Sequence, residues 1–256
     1  MKKYISIILL SLSVISFAHA QEYKVKKSSG KVLLNLPSVT VEGYNGNEII
    51  FSTTKKEIET DPRAKGLRAI DGSGHTDNTG LGISVEENGS TLEVNQVGYA
   101  NEAIKILVPK NVILSLVCHK LANAGNIIFR NLENEIEIST DYNKIELVNI
   151  TGPVSVRALY GSVDATFSEH LKGPVSIASI YSTVDVTIPP TTRANVKLSS
   201  SHGEIMASSG LKIVLEKNGS GDMISYGNVV NGKINGGGAD FKLSSEYSKI
   251  YLRETK

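Results

Sequence analysis

Residues 136–188 read IEISTDYNKIELVNITGPVSVRALYGSVDATFSEHLKGPVSIASIYSTVDVTI, and this stretch decides the fold. A short apolar-x-apolar unit recurs through it as Ile136/Ile138, Ile145/Leu147, Val154/Val156, Val163/Ala165, Val175/Ile177 and Val184/Val186. Ile127/Phe129 precede the stretch, and Val196/Leu198 and Ile205/Ala207 follow it. The first members of these pairs lie 9, 9, 9, 9, 12, 9, 12 and 9 residues apart, which marks a repeat architecture. The middle residue is mostly polar (Glu137, Glu146, Ser155, Asp164, Ser176, Asp185, Lys197), so each unit reads as a strand with one face in a core and one in solvent.

Short strands nine residues apart fit either an antiparallel sandwich or a solenoid in which two strands make one coil. The corners favour the solenoid. Every other unit follows an aromatic turn at Tyr142-Asn143, Tyr160-Gly161, Tyr181-Ser182, His202-Gly203 and, at the end of the chain, Tyr247-Ser248. The units between carry Gly152-Pro153 and Gly173-Pro174 instead. Like turns therefore recur every 18–21 residues, the period of a two-strand coil. Stacking would place each tyrosine over the one before, at the strand spacing of roughly 4.8 Å. The expected fold is all-β, a right-handed parallel β-helix with coils of 18–21 residues.

Outward from this region the pattern is less regular. Residues 21–120 are β-rich without clean repetition, from Lys31–Leu36 to Val112–His119, and are expected to form N-terminal coils and a cap. A charged, Gly-rich loop, expected to be a mobile excursion, lies near 55–80. Residues 121–256 form the regular solenoid; their period loosens through Ile213, Ile224 and Ile234 before Phe241 and Ile250 restore it.

Lys2 and Lys3, the apolar run Ile5–Phe17 and Ala18-His19-Ala20 together have the form of a secretory signal peptide, residues 1–20, cleaved before Gln21. Export to the periplasm or cell surface follows, with no transmembrane span in the mature protein. Setting aside Lys2 and Lys3 leaves 25 of the 27 Lys and Arg against 26 Asp and Glu. That balance carries no basic excess for phosphates, which disfavours nucleic acid as a partner. The lone Cys118 excludes an internal disulfide.

These features resemble the bacterial putative-adhesin family of β-solenoid domains, a domain of unknown function common among Bacteroidetes. The passages that carry the resemblance are Gly30-Lys31-Val32 to Ile50-Phe51-Ser52, Lys65-Gly66-Leu67 to Gly80-Leu81, Leu107-Val108-Pro109-Lys110-Asn111-Val112, and the coils after Gly125. The resemblance implies a stacked β-fold in the cell envelope and brings no catalytic residues.

Two sets of residues are candidates for function. The corner aromatics Tyr142, Tyr160, Tyr181, His202 and Tyr247 are candidate ligand contacts. Glu146, Asp164 and Asp185 occupy one outward position in three coils, an acidic ladder that must be offset by solvent, a neighbouring cation or a metal. Calcium or a cationic ligand is the functional reading of that ladder, and a solvated polar face is the plain one. Cys118-His119 are adjacent on a strand and point to opposite faces, so they do not form a ligand pair. His202 reads as a substitute ring in the tyrosine corner, and Gly236-Gly237-Gly238 as a bend.

Three classes of function remain. The leading one is a non-enzymatic envelope protein that binds a glycan or protein partner, as an adhesin does. The others are a polymerising envelope scaffold and a carbohydrate-active enzyme, which needs two carboxylates in unlike environments that a repeating face does not provide.

Overall fold

A computed structural model describes residues 22–53, 62–98, 104–121, 124–216 and 228–255. Residues 1–20, where a signal peptide is expected, and Gln21 lie outside the described residues, as does part of the 55–80 loop. The strands in chain order are β1 Glu22–Val25, β2 Gly30–Asn35, β3 Val39–Gly43, β4 Ile49–Thr53, β5 Ile83–Asn88, β6 Thr91–Gln96 and β7 Ile104–Val108. They continue with β8 Val112–Cys118, β9 Asn126–Leu132, β10 Ile136–Thr140, β11 Lys144–Ile150, β12 Val154–Ala158, β13 Val163–Phe167 and β14 Val175–Ser179. The last are β15 Val184–Ile188, β16 Ala194–Ser200, β17 Ile205–Ala207, β18 Ile213–Leu215, β19 Asn228–Ile234, β20 Ala239–Ser245 and β21 Ile250–Glu254.

From β6 to β17 successive strands alternate between two sheets, and like strands of the repeats stack in parallel. One sheet places Ile136, Val154 and Val175 in a row through β10, β12 and β14. The other aligns Ile145, Val163 and Val184 through β11, β13 and β15. The solenoid reading therefore holds, and hairpin pairing of the repeats does not occur. Alternate residues of each strand face inward, and the Val, Ile and Leu rungs are almost fully buried between the sheets. The twelve-residue steps are longer corners after β13 and β15.

Coil order departs from chain order at both ends. The first sheet runs β1-β4-β7-β3-β9-β11-β13-β15-β21-β17, and the second β18-β19-β16-β20-β14-β12-β10-β8-β2-β6-β5. The last coil, β20–β21, therefore lies between β14–β15 and β16–β17, with Val175 and Val196 both aligned on Phe241. The loosened period is explained by this transposition: β19 and β18 turn antiparallel onto β16 as a cap before the chain re-enters the stack. The physical reason lies in the coils themselves. β20–β21 has a full set of buried rungs and suits an interior place, whereas β17 is three residues long and mostly exposed, which suits an end.

At the other end, β2–β3 lies between β6–β7 and β8–β9. Antiparallel strands β1, β4 and β5 close that end. The described part of the Gly-rich loop is ordered by its own hydrogen bonds. Asp77 accepts from the amides of Thr79, Gly80 and Gly82 at 2.9, 2.8 and 3.0 Å. Asn78 then acts as a strand substitute on the outer edge of β5: its amide donates to the Val85 carbonyl at 2.8 Å and accepts from the Val85 amide at 2.9 Å. An edge that would otherwise template pairing is covered.

Candidate functional site

The aromatic corners form one column. The rings follow the order Tyr142, Tyr160, Tyr181, Tyr247, His202, with centroids 5.3, 4.9, 5.1 and 4.8 Å apart and planes 8–13° from parallel. Tyr247 lies between Tyr181 and His202 because its coil is the transposed one. The local sequence explains how each ring is held. Ser179, Ser245 and Ser200 precede the corners, and each hydroxyl accepts the amide three residues on, from Ser182, Ser248 and Gly203, at 3.2, 3.1 and 2.8 Å. The same hydroxyls donate to the neighbouring coil at the carbonyls of Gly161, Ser182 and Ser248. The Tyr181, Tyr247 and His202 corners are thus closed on themselves and pinned to the neighbouring coil. Gly161 is required here, since a Cβ would stand 1.8 Å from the Asn143 carbonyl oxygen.

The four tyrosines are 39–51% exposed, but each interior ring has both faces covered by its neighbours. What the column offers outward is a ridge of ring edges and phenol hydroxyls. A sugar cannot stack on the interior rings. Along the adjacent sheet, register aligns Ser139, Arg157, Ala178, Ser244 and Ser199 in one outward row. Beside it run Glu137, Ser155, Ser176, Lys242 and Lys197, so serine hydroxyls alternate with charged side chains over this face.

The carboxylate ladder is also present in register, Glu146 beside Asp164 and Asp164 beside Asp185. Two of its three carboxylates are paired with cations of the same chain. Lys144 lies 2.8 Å from Asp164, and Arg253 grips Asp185 through two nitrogens at 2.7 and 2.9 Å. The hydrogen bond to Asp164 raises the Lys144 pKa above its ordinary value. Tyr251 continues the row beyond Asp185. Among the described residues, no group of three or more His, Cys, Asp or Glu side chains converges to hold a metal ion. Cys118 is buried and its thiol is pushed up by that burial, while His119 points outward to Asp141 at 2.8 Å.

Two concave features escaped sequence reasoning. A cleft of about 680 Å³ lies where Ile70–Ser73 approach the ends of β2, β6 and β8, near the first ring of the column. A second, of about 500 Å³, lies at the opposite corner and contains an ion triad in which Glu133 joins Lys110 at 2.7 Å and Lys172. Asn131 and Asn149 flank it, both left-handed at φ 54° and 57°, with the Asn149 amide donating to Asn131 at 2.9 Å. Their 18-residue recurrence as Asn131-Leu132 and Asn149-Ile150 was the available signal. The tripartite pairing is not legible that way, because Lys110 and Lys172 come from unrelated corners.

Hydrogen bonds from the two lysines hold the Glu133 pKa at about 2, against an ordinary 4.5. A depressed carboxylate contributes stability that is complete above its ordinary pKa and is lost as pH falls through the depressed one. The Glu133 carboxylate is therefore expected to stay ionised throughout acid titration until about pH 2, and Lys172→Ala to move its midpoint upward toward 4.5. Carbon-detected NMR of the side-chain carboxyl checks this; an unmoved midpoint in the variant would show that Lys172 is not the cause.

No family model matches the chain, and no curated protein does. Among solved structures, the chain is similar to a putative cell adhesion protein from Clostridium sporogenes, with 13% identity, 93% of this chain and 100% of that one covered, and a TM-score of 0.47. It is also similar to a putative adhesin from Bacteroides fragilis, with 9% identity, 91% and 96% covered, and a TM-score of 0.31.

Proposed function

We propose that this chain is an exported, non-enzymatic protein of the cell envelope that holds a glycan or protein partner on its aromatic ridge and the polar face beside it, as an adhesin does. The observation that carries the reading is the continuous five-ring column, built by a corner repeated in five coils and half exposed along its length. Burying a column is enough for stability, so rings left at the surface are free to meet a partner. Export is supported by Lys2-Lys3, Ile5–Phe17 and Ala18-His19-Ala20.

Carboxylate chemistry supports binding over hydrolysis. A general acid needs a raised pKa. Every carboxylate with a displaced pKa among the described residues (Glu42, Asp71, Glu133, Glu137, Glu204) is displaced downward by hydrogen bonds to Lys or His. Against the scaffold alternative, three of the four sheet ends (β1, β5 and β18) finish in a strand antiparallel to its neighbour, which interrupts the parallel stacking that end-to-end joining would continue.

An array of glycans together with pull-downs from envelope extracts tests the reading. Capture by the wild-type protein and its loss in a Tyr160→Ser/Tyr181→Ser variant that still folds is the expected result. Capture that survives the double substitution would remove the ridge from the binding surface.

A further inference from the structure

Resting on the proposed binding function, the geometry points to a ligand class: an extended β-1,4-linked glycan lying along the ridge, one pyranose to each coil. Successive rings stand 4.8–5.3 Å apart, the spacing imposed by stacked strands. A β-1,4-linked chain of equatorially linked pyranoses is a flat ribbon that advances by close to one such rung per sugar, so hydroxyls on its edge meet the ridge in step. A linkage that curls the chain loses step after a sugar or two.

The stacking is continuous as well as evenly spaced, with neighbouring ring planes 8–13° from parallel over all five rungs. The chemistry also fits. Ring faces are occupied within the column, which leaves phenol hydroxyls at Tyr142, Tyr160, Tyr181 and Tyr247 as the repeated polar group. Each both donates and accepts, as a sugar hydroxyl does.

Calorimetric titration of the full chain with cello- and chito-oligosaccharides of two to six sugars, and with malto-oligosaccharides of the same lengths, tests the inference. Affinity should rise with each added sugar up to five and then level, with the malto series failing to follow. Tyr160→Phe and Tyr181→Phe keep the stacked rings and remove only hydroxyls, so each should weaken pentasaccharide binding about three- to tenfold without loss of fold. A response to one β-1,4 series alone would show whether the acetamido group is required. Absence of binding to both series, no dependence on length, equal binding of the malto series, or indifference to both Phe variants would overturn the inference. The broader reading fails separately: a protein or curled glycan that binds and is weakened by the Phe variants keeps the ridge as the site while excluding this ligand class.

Discussion

A chain ending at Gly238 is expected to lose the C-terminal part of the stack rather than be trimmed at its end. The missing residues form the interior coil β20–β21, whose Phe241, Leu243, Ile250 and Leu252 are at most 1% exposed. Losing four such side chains removes about 1.5–3 kcal/mol each, a sum comparable with the whole stability of an ordinary domain. β16 and β17 would also lose their parallel partners. Hydrogen exchange should therefore show lost protection across 194–216 and a lowered Tm, whereas deleting the edge strand β1 should change little. The opposite result has a clear structural meaning. Val175 and Val196 share a column, and Ser179 and Ser200 occupy equivalent corners, so β16–β17 has the register to seat directly on β14–β15. Retained protection would show that it does so, and that the transposed coil is dispensable.

The second large effect separates core from surface aromatics. Phe241→Ala is expected to cost about 3–5 kcal/mol, because the ring is fully buried, meets Phe167 edge-on at 5.5 Å, and leaves a cavity between paired sheets. Tyr181→Ala interrupts two stacked pairs at the surface and should cost about 1–3 kcal/mol. Urea denaturation of both variants measures the difference. If the Tyr181 change is as costly as the Phe241 change, the column is a structural spine first, and its exposure no longer argues for a partner.

The two regions of the chain differ in how their ends are managed. At the N-terminal end, β5 is sealed by side-chain hydrogen bonds from Asn78, a local device built by a short loop. At the C-terminal end, closure depends on order: a short coil and an antiparallel hairpin are placed outermost, and a complete coil is inserted beneath them. Both serve the same physical need, since a stack of parallel strands exposes unpaired amides and apolar rungs wherever it stops.

The repeating unit, the inward rungs, the two alternating sheets and the columns at their corners are all legible in the chain's residue pattern. Those follow from local periodicity: a strand of five residues alternates its side chains, and equal spacing returns each residue to the same position in the next coil. Tyr142, Tyr160 and Tyr181 stack in chain order for that reason, and Glu146, Asp164 and Asp185 align for the same reason. The rest came from long-range packing. Tyr247 lies inside His202, Lys144 and Arg253 pair with Asp164 and Asp185 of the acidic row, and Lys110 and Lys172 meet on Glu133. Every coil carries nearly the same rungs, so the repeat is indifferent to which coil follows which. The choice is made by non-local terms, the burial of complete coils and the closing of strand edges, which no residue's immediate neighbours encode.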